Sequence, residues 1–82
     1  MTRILLEVRF FMTIQRGKDL LNQLNPSADE LRRSIDALAW DRQYVRNSIT
    51  IGLRDKDSGQ ENIDEISDLI QKLEDKLKCL TN

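Results

Sequence analysis

Ile63, Ile66, Ile70, Leu73, Leu77 and Leu80 recur at spacings of three, four, three, four and three residues. That repeat draws one apolar seam along a helix, of the coiled-coil kind, and such a seam has to be covered by a facing helix. Polar residues mark its ends. Asn62 is a suitable N-cap and Glu65 its capping-box partner three residues on. Asp64 and Glu65 in the first turn, and Lys76 and Lys78 in the last, complement the helix dipole. Asp68 with Lys72 and Glu74 with Lys78 are i, i+4 pairs on exposed faces. The spacing predicts a helix over 63–80.

A facing helix is available upstream. Ser27 reads as an N-cap with Glu30 as its partner, opening a helix over about 28–51. Gly52 and the polar run Asp55 to Asn62 end it, and the β-branched Ile49-Thr50-Ile51 leaves a short extended piece as an alternative for the last turn. At 100° per residue, Leu31, Ile35, Leu38, Val45 and Ile49 form one apolar stripe, and Ala37, Trp40, Tyr44 and Ile51 a second. Asp29, Arg32, Asp36, Gln43 and Asn47 separate the stripes on one side; Ser34, Asp41 and Ser48 separate them on the other. Two stripes need two neighbours. Trp40 and Tyr44 either anchor an interface with another chain or pack against the first helix. Arg42 falls inside the first stripe, where it fixes register through a carboxylate partner or keeps its head in water at the rim.

The first helix is expected over about 13–24. Ile14, Gly17, Leu21 and Leu24 share a face that Leu20 widens, and Asn25-Pro26 stops the helix. Gly17 costs about 1 kcal/mol relative to alanine unless it lets a neighbouring helix come close. Residues 1–12 form an arm with two readings. Ile4, Leu6, Val8, Phe10 and Met12 alternate as in a strand, whereas Ile4, Val8 and Phe11 fit a helical face. Met12 is also a candidate start, which would make residues 1–11 an extension without a structural role. The fold class is therefore all-α: a small three-helix bundle, or a helical hairpin with an accessory N-terminal helix, in a single domain over 13–82.

Length sharpens the functional reading. A chain of 82 residues forms one domain and buries only about 60% of the surface its unfolded form exposes, so such domains usually carry a staple. There is no histidine and one cysteine, Cys79, so neither an intrachain disulfide nor a structural zinc site can form. Self-association is the staple that remains. Charged residues make up 33% of the chain with a net charge of −1, a mixture that suits solvated helix faces better than a polyanion or membrane binder. Residues 1–54 carry +3 and residues 55–82 carry −4, either as ordinary scatter or as attraction between the two ends. No run approaches the ~18 apolar residues of a membrane span. Glu7 and Arg9 interrupt the apolar start, so it does not read as a signal peptide. A lone cysteine without such a signal fits a reducing cytoplasm.

Catalysis finds no footing in the pattern. Without histidine the commonest general base is absent, and no phosphate-binding glycine loop or nucleophile elbow is present. Asp64 and Asp68 share a face but read as surface charge. Asp55-Lys-Asp57-Ser-Gly59 begins like a calcium loop, yet Gln60 and Ile66 stand where glycine and glutamate are required, so it reads as a turn. Cys79 has lysines nearby but reads as an idle thiol. No cofactor or metal is expected. The expectation is a non-enzymatic protein–protein interaction module, most simply a homodimer, with Trp40, Tyr44, Ile51 and Arg42 at the interface. The alternative is a nucleic-acid-binding regulator that uses Arg32, Arg33, Arg42 and Arg46, although Asp29, Asp36 and Asp41 interrupt that basic patch.

Overall fold

A computed structural model of the chain describes residues 2–81, with side chains from Phe10 to Leu80. The described residues form three helices, α1 (Thr2–Asn22), α2 (Ala28–Thr50) and α3 (Lys56–Thr81), and no strand. Five-residue turns join them, too short for anything but antiparallel neighbours. The cross-contacts agree. Lys18 of α1 pairs with Glu65 of α3 at 3.3 Å, and Arg54 in the second turn reaches the rings of Phe10 and Tyr44. The result is an up-down-up three-helix bundle measuring 42 × 22 × 16 Å.

α2 begins as expected: the Glu30 N–H donates to Ser27 Oγ at 3.1 Å, and Asp29 and Glu30 lie against the positive end of the helix dipole. It ends in a Schellman motif. Gly52 takes a φ of 80°, its N–H donates to Ile49 O, and Leu53 N–H donates to Ser48 O at 2.8 Å. The helix is continuous to Thr50, so Ile49-Thr50 do not form the extended alternative.

α3 differs from expectation at its start. It begins at Lys56, and Asp55, not Asn62, is the cap. Ser58 N–H donates to Asp55 Oδ2 at 3.2 Å, while Gly59 N–H donates to Asp55 O at 2.8 Å. The polar run read as a turn is the helix's first turns, because the aspartate satisfies the free N–H groups from within it. Gly59 permits this course: a Cβ there would collide with the Ile49 side chain of α2.

α1 is one helix from Thr2, which leaves no strand in the arm, and it ends at Asn22. Leu24 therefore drops off the expected face and is fully exposed. Of the residues that carried the two readings of the arm, the side chains of Ile4, Leu6 and Val8 lie outside the described residues. Phe10 packs in the core, and Phe11 and Met12 are exposed. Phe10 thus gives the segment before Met12 a place in the fold.

The core takes in the middle of each expected stripe and reaches beyond it. Leu31, Leu38 and Val45 of α2, with Ile66 and Leu73 of α3, are fully buried, each contributing about 1.5–3 kcal/mol. Ile63 and Ile70 are buried beside them, whereas Leu77 is half-buried and Leu80 largely exposed. Leu69, outside the expected seam, is buried as well, because α1 comes close at Gly17. A Cβ on Gly17 would stand 2.9 Å from Leu69 Cδ2 and 3.4 Å from Leu38 Cδ1. On α2 the polar row Ser34, Asp41 and Ser48 turns inward, with Ser34 and Ser48 buried. The true line of α2 is therefore Leu31, Ser34, Leu38, Asp41, Val45 and Ser48, again spaced three and four.

Candidate functional site

Both flanks of the α2 line are occupied. On one, Arg42 Nη1 donates to Ser67 Oγ of α3 at 3.2 Å, and Ile49 lies against Gly59. On the other, Arg54 stands 6.0 Å from the Tyr44 ring and 5.7 Å from that of Phe10 on α1, a cation–π bridge between two helices. The third side of α2 faces solvent and carries Trp40.

Trp40 is the one tryptophan in the chain and is 76% exposed. Counting 100° per residue, it lies about 130° around the helix from the middle of the buried line, beyond Tyr44. It shares the Tyr44 side of α2 but lies outside the core cluster that joins α2 to α1. With Asp36, Ala39 and Gln43 it lines a shallow open groove. The groove's rim is ordered by its own helix: Gln43 Nε2 donates to Asn47 Oδ1 at 3.0 Å. Ile51, 67% exposed, continues the apolar surface three turns further along, and exposed Leu53 follows it in the turn.

The interface residues expected from sequence are thus divided. Trp40 and Ile51 share the outward face. Tyr44 is half-buried against the core, and Arg42 is held at the α2–α3 contact, off that face. Of the four arginines, Arg32, Arg42 and Arg46 share one side of α2 while Arg33 lies apart. Arg32 pairs with Asp29 at 3.6 Å, and Arg42 is turned to Ser67.

The groups considered for chemistry are engaged in surface pairs. Asp64 Oδ1 accepts from Gln60 Nε2, and Asp68 pairs with Lys72 at 3.0 Å. Cys79 is an exposed free thiol. Among the described residues no three His, Cys, Asp or Glu side chains are grouped to hold a metal ion, and no helix is long and apolar enough to cross a membrane.

One residue had no local signal. Lys76, read above as a complement to its own helix, instead reaches α1: its Nζ donates to Leu20 O, Leu21 O and Gln23 O at 3.1, 2.8 and 2.7 Å. Its partners lie 53 to 56 residues away in sequence.

No family model, no curated protein and no solved structure matches this chain.

Proposed function

We propose that the chain is a non-catalytic association module that binds another protein chain through the outward face of α2, first of all a second copy of itself. The observation that carries this reading is Trp40, a large apolar side chain left 76% exposed on a helix whose other side supplies the core. Tryptophan is among the commonest anchors of protein interfaces, and a rigid two-torsion side chain loses little entropy on docking. Asp36 and Gln43 supply a polar rim beside it, the usual arrangement around such an anchor.

Surface area supports the reading. A monomer of this mass exposes about 5,100 Å² by the usual scaling, whereas this chain exposes 5884 Å². Part of the excess follows from the elongated outline. The absence of a disulfide or histidine-containing metal site leaves association as the available staple for so short a chain.

Sedimentation across the micromolar range tests the proposal, with Trp40→Ala as the variant. The expected result is a reversible dimer, weakened by about 2 kcal/mol, or about thirtyfold in Kd, in the variant. Helix content should stay unchanged, since Trp40 touches no core. The tryptophan emission of the wild type should also shift to the blue as concentration rises. A wild type that stays monomeric, with Trp40→Ala indistinguishable from it, would rule out self-association through this face.

A further inference from the structure

We propose that α1 is a strap that opens from the α2–α3 hairpin while the hairpin stays folded, and that Lys76 is its clasp. The last carbonyls of any helix lack partners within it and need a cap. α1 has no basic residue in its last turn, and no glycine follows it. Gln23 N–H donates to Leu20 O at 3.3 Å, and Lys76 of α3 also donates to Leu20 O at 3.1 Å, to Leu21 O at 2.8 Å and, just past the helix, to Gln23 O at 2.7 Å. An ammonium has three donors, and these three contacts can use them all. One side chain thus caps the end of α1 and ties it to α3.

The other attachments of α1 are shallow. Its ion pair to α3, Lys18 with Glu65, is about half exposed at both ends, with 52% and 48% of each side chain open to water. Among the described side chains, the five largest fully buried ones lie on the hairpin: Leu31, Leu38 and Val45 on α2, and Ile66 and Leu73 on α3. Opening α1 separates Phe10, Ile14 and Leu20 from the core, whereas opening α3 breaks the α2–α3 seam itself. Structural units that open below the global unfolding free energy are those with the least buried apolar contact. The opened hairpin exposes Leu38 and Leu69, the two side chains nearest Gly17. That surface suits a helix carrying a small residue, and it is distinct from the Trp40 face.

Hydrogen exchange of the full-length chain, read by mass spectrometry, is the test. Amides of α1 between Ile14 and Asn22 should exchange at least about tenfold faster than those between Ile66 and Leu73, the signature of opening below the global limit. Lys76→Met should raise exchange in α1 by a further factor of roughly ten while leaving the Ile66–Leu73 amides within about twofold of wild type. Lys76→Arg, which keeps donors and charge, should recover most of the protection. Equal protection of α1 and α3 in the wild type would overturn the proposal without any variant. So would a Lys76→Met chain in which both helices lose protection by the same factor.

Discussion

α1 and α3 both pack on α2, but they hold it differently. α3 contributes Ile63, Ile66, Leu69, Ile70 and Leu73 to the core, and two of these are fully buried. Among its described side chains, α1 contributes Phe10, Ile14 and Leu20, with Leu21 packed beside them, and it is further held at its edges by Lys76, Lys18 and the Arg54 bridge. A seam of interleaved branched side chains resists opening because every member loses its contacts at once. A helix held by polar bonds at its margins has those bonds replaced by water when it leaves. The same fold therefore combines a hairpin close to a coiled coil with a helix of lower local stability.

The sharpest test of this contrast removes one large side chain from each side. Leu73→Ala should cost about 2–5 kcal/mol, because the side chain is wholly enclosed and the cavity cannot fully collapse. Urea denaturation should show the whole transition moved to lower midpoint. Ile14→Ala should cost less, about 2 kcal/mol, and its loss of exchange protection should concentrate in α1. Equal costs with uniform loss of protection would mean that α1 is as integral as α3, and the contrast would fail.

The glycines extend the comparison. Gly59 and Gly17 each sit inside a helix where another helix crosses closely. At Gly59 an added methyl collides with both Cδ1 and Cγ1 of Ile49, so either that side chain or the helix must move. Gly59→Ala should therefore cost about 1–3 kcal/mol as an overpacked contact, despite the better helix propensity of alanine. At Gly17 the nearest atom is the tip of Leu69, 2.9 Å away, which rotates more readily. The two effects should nearly cancel there, leaving Gly17→Ala within about 1 kcal/mol of wild type. Thermal melts of the two single variants check the order, and a larger loss at Gly17 would place the tighter crossing on the α1 side.

These contacts also explain what could be read from sequence. The α3 seam, the Ser27 cap and the first α2 stripe were legible because each is a local pattern of one residue type. The early start of α3 was hidden, since Asp55-Lys-Asp57-Ser-Gly59 has the composition of a turn and only the crossing of Ile49 over Gly59 shows why it is helix. The inward row of α2 was hidden because counting apolar residues passes over serine, whose small side chain suits a close helix contact. For Trp40 the periodicity placed it on a second stripe, but the side on which α1 docks is a tertiary outcome. Lys76 offered no clue, because its acceptors are backbone carbonyls of another helix.

The two buried serines of that row carry the smallest expected effect. Ser48 Oγ donates to Tyr44 O at 2.9 Å, so its hydroxyl is satisfied within the helix. Ser34, four turns earlier on the same line, has an Oγ that is buried with no hydrogen-bond partner. An unsatisfied buried hydroxyl costs about 1–3 kcal/mol, and alanine is also the better helix former by several tenths of a kcal/mol. Ser34→Ala should therefore raise stability by about 1 kcal/mol, since the methyl occupies nearly the same space. At Ser48 the lost bond and the gained propensity oppose each other, so Ser48→Ala should stay within about 0.5 kcal/mol of wild type or fall slightly below it. Denaturation midpoints of the two variants, compared at fixed protein concentration, give the answer. If Ser34→Ala is destabilising, the Ser34 hydroxyl has a partner after all, and water has entered the α2 line at that point.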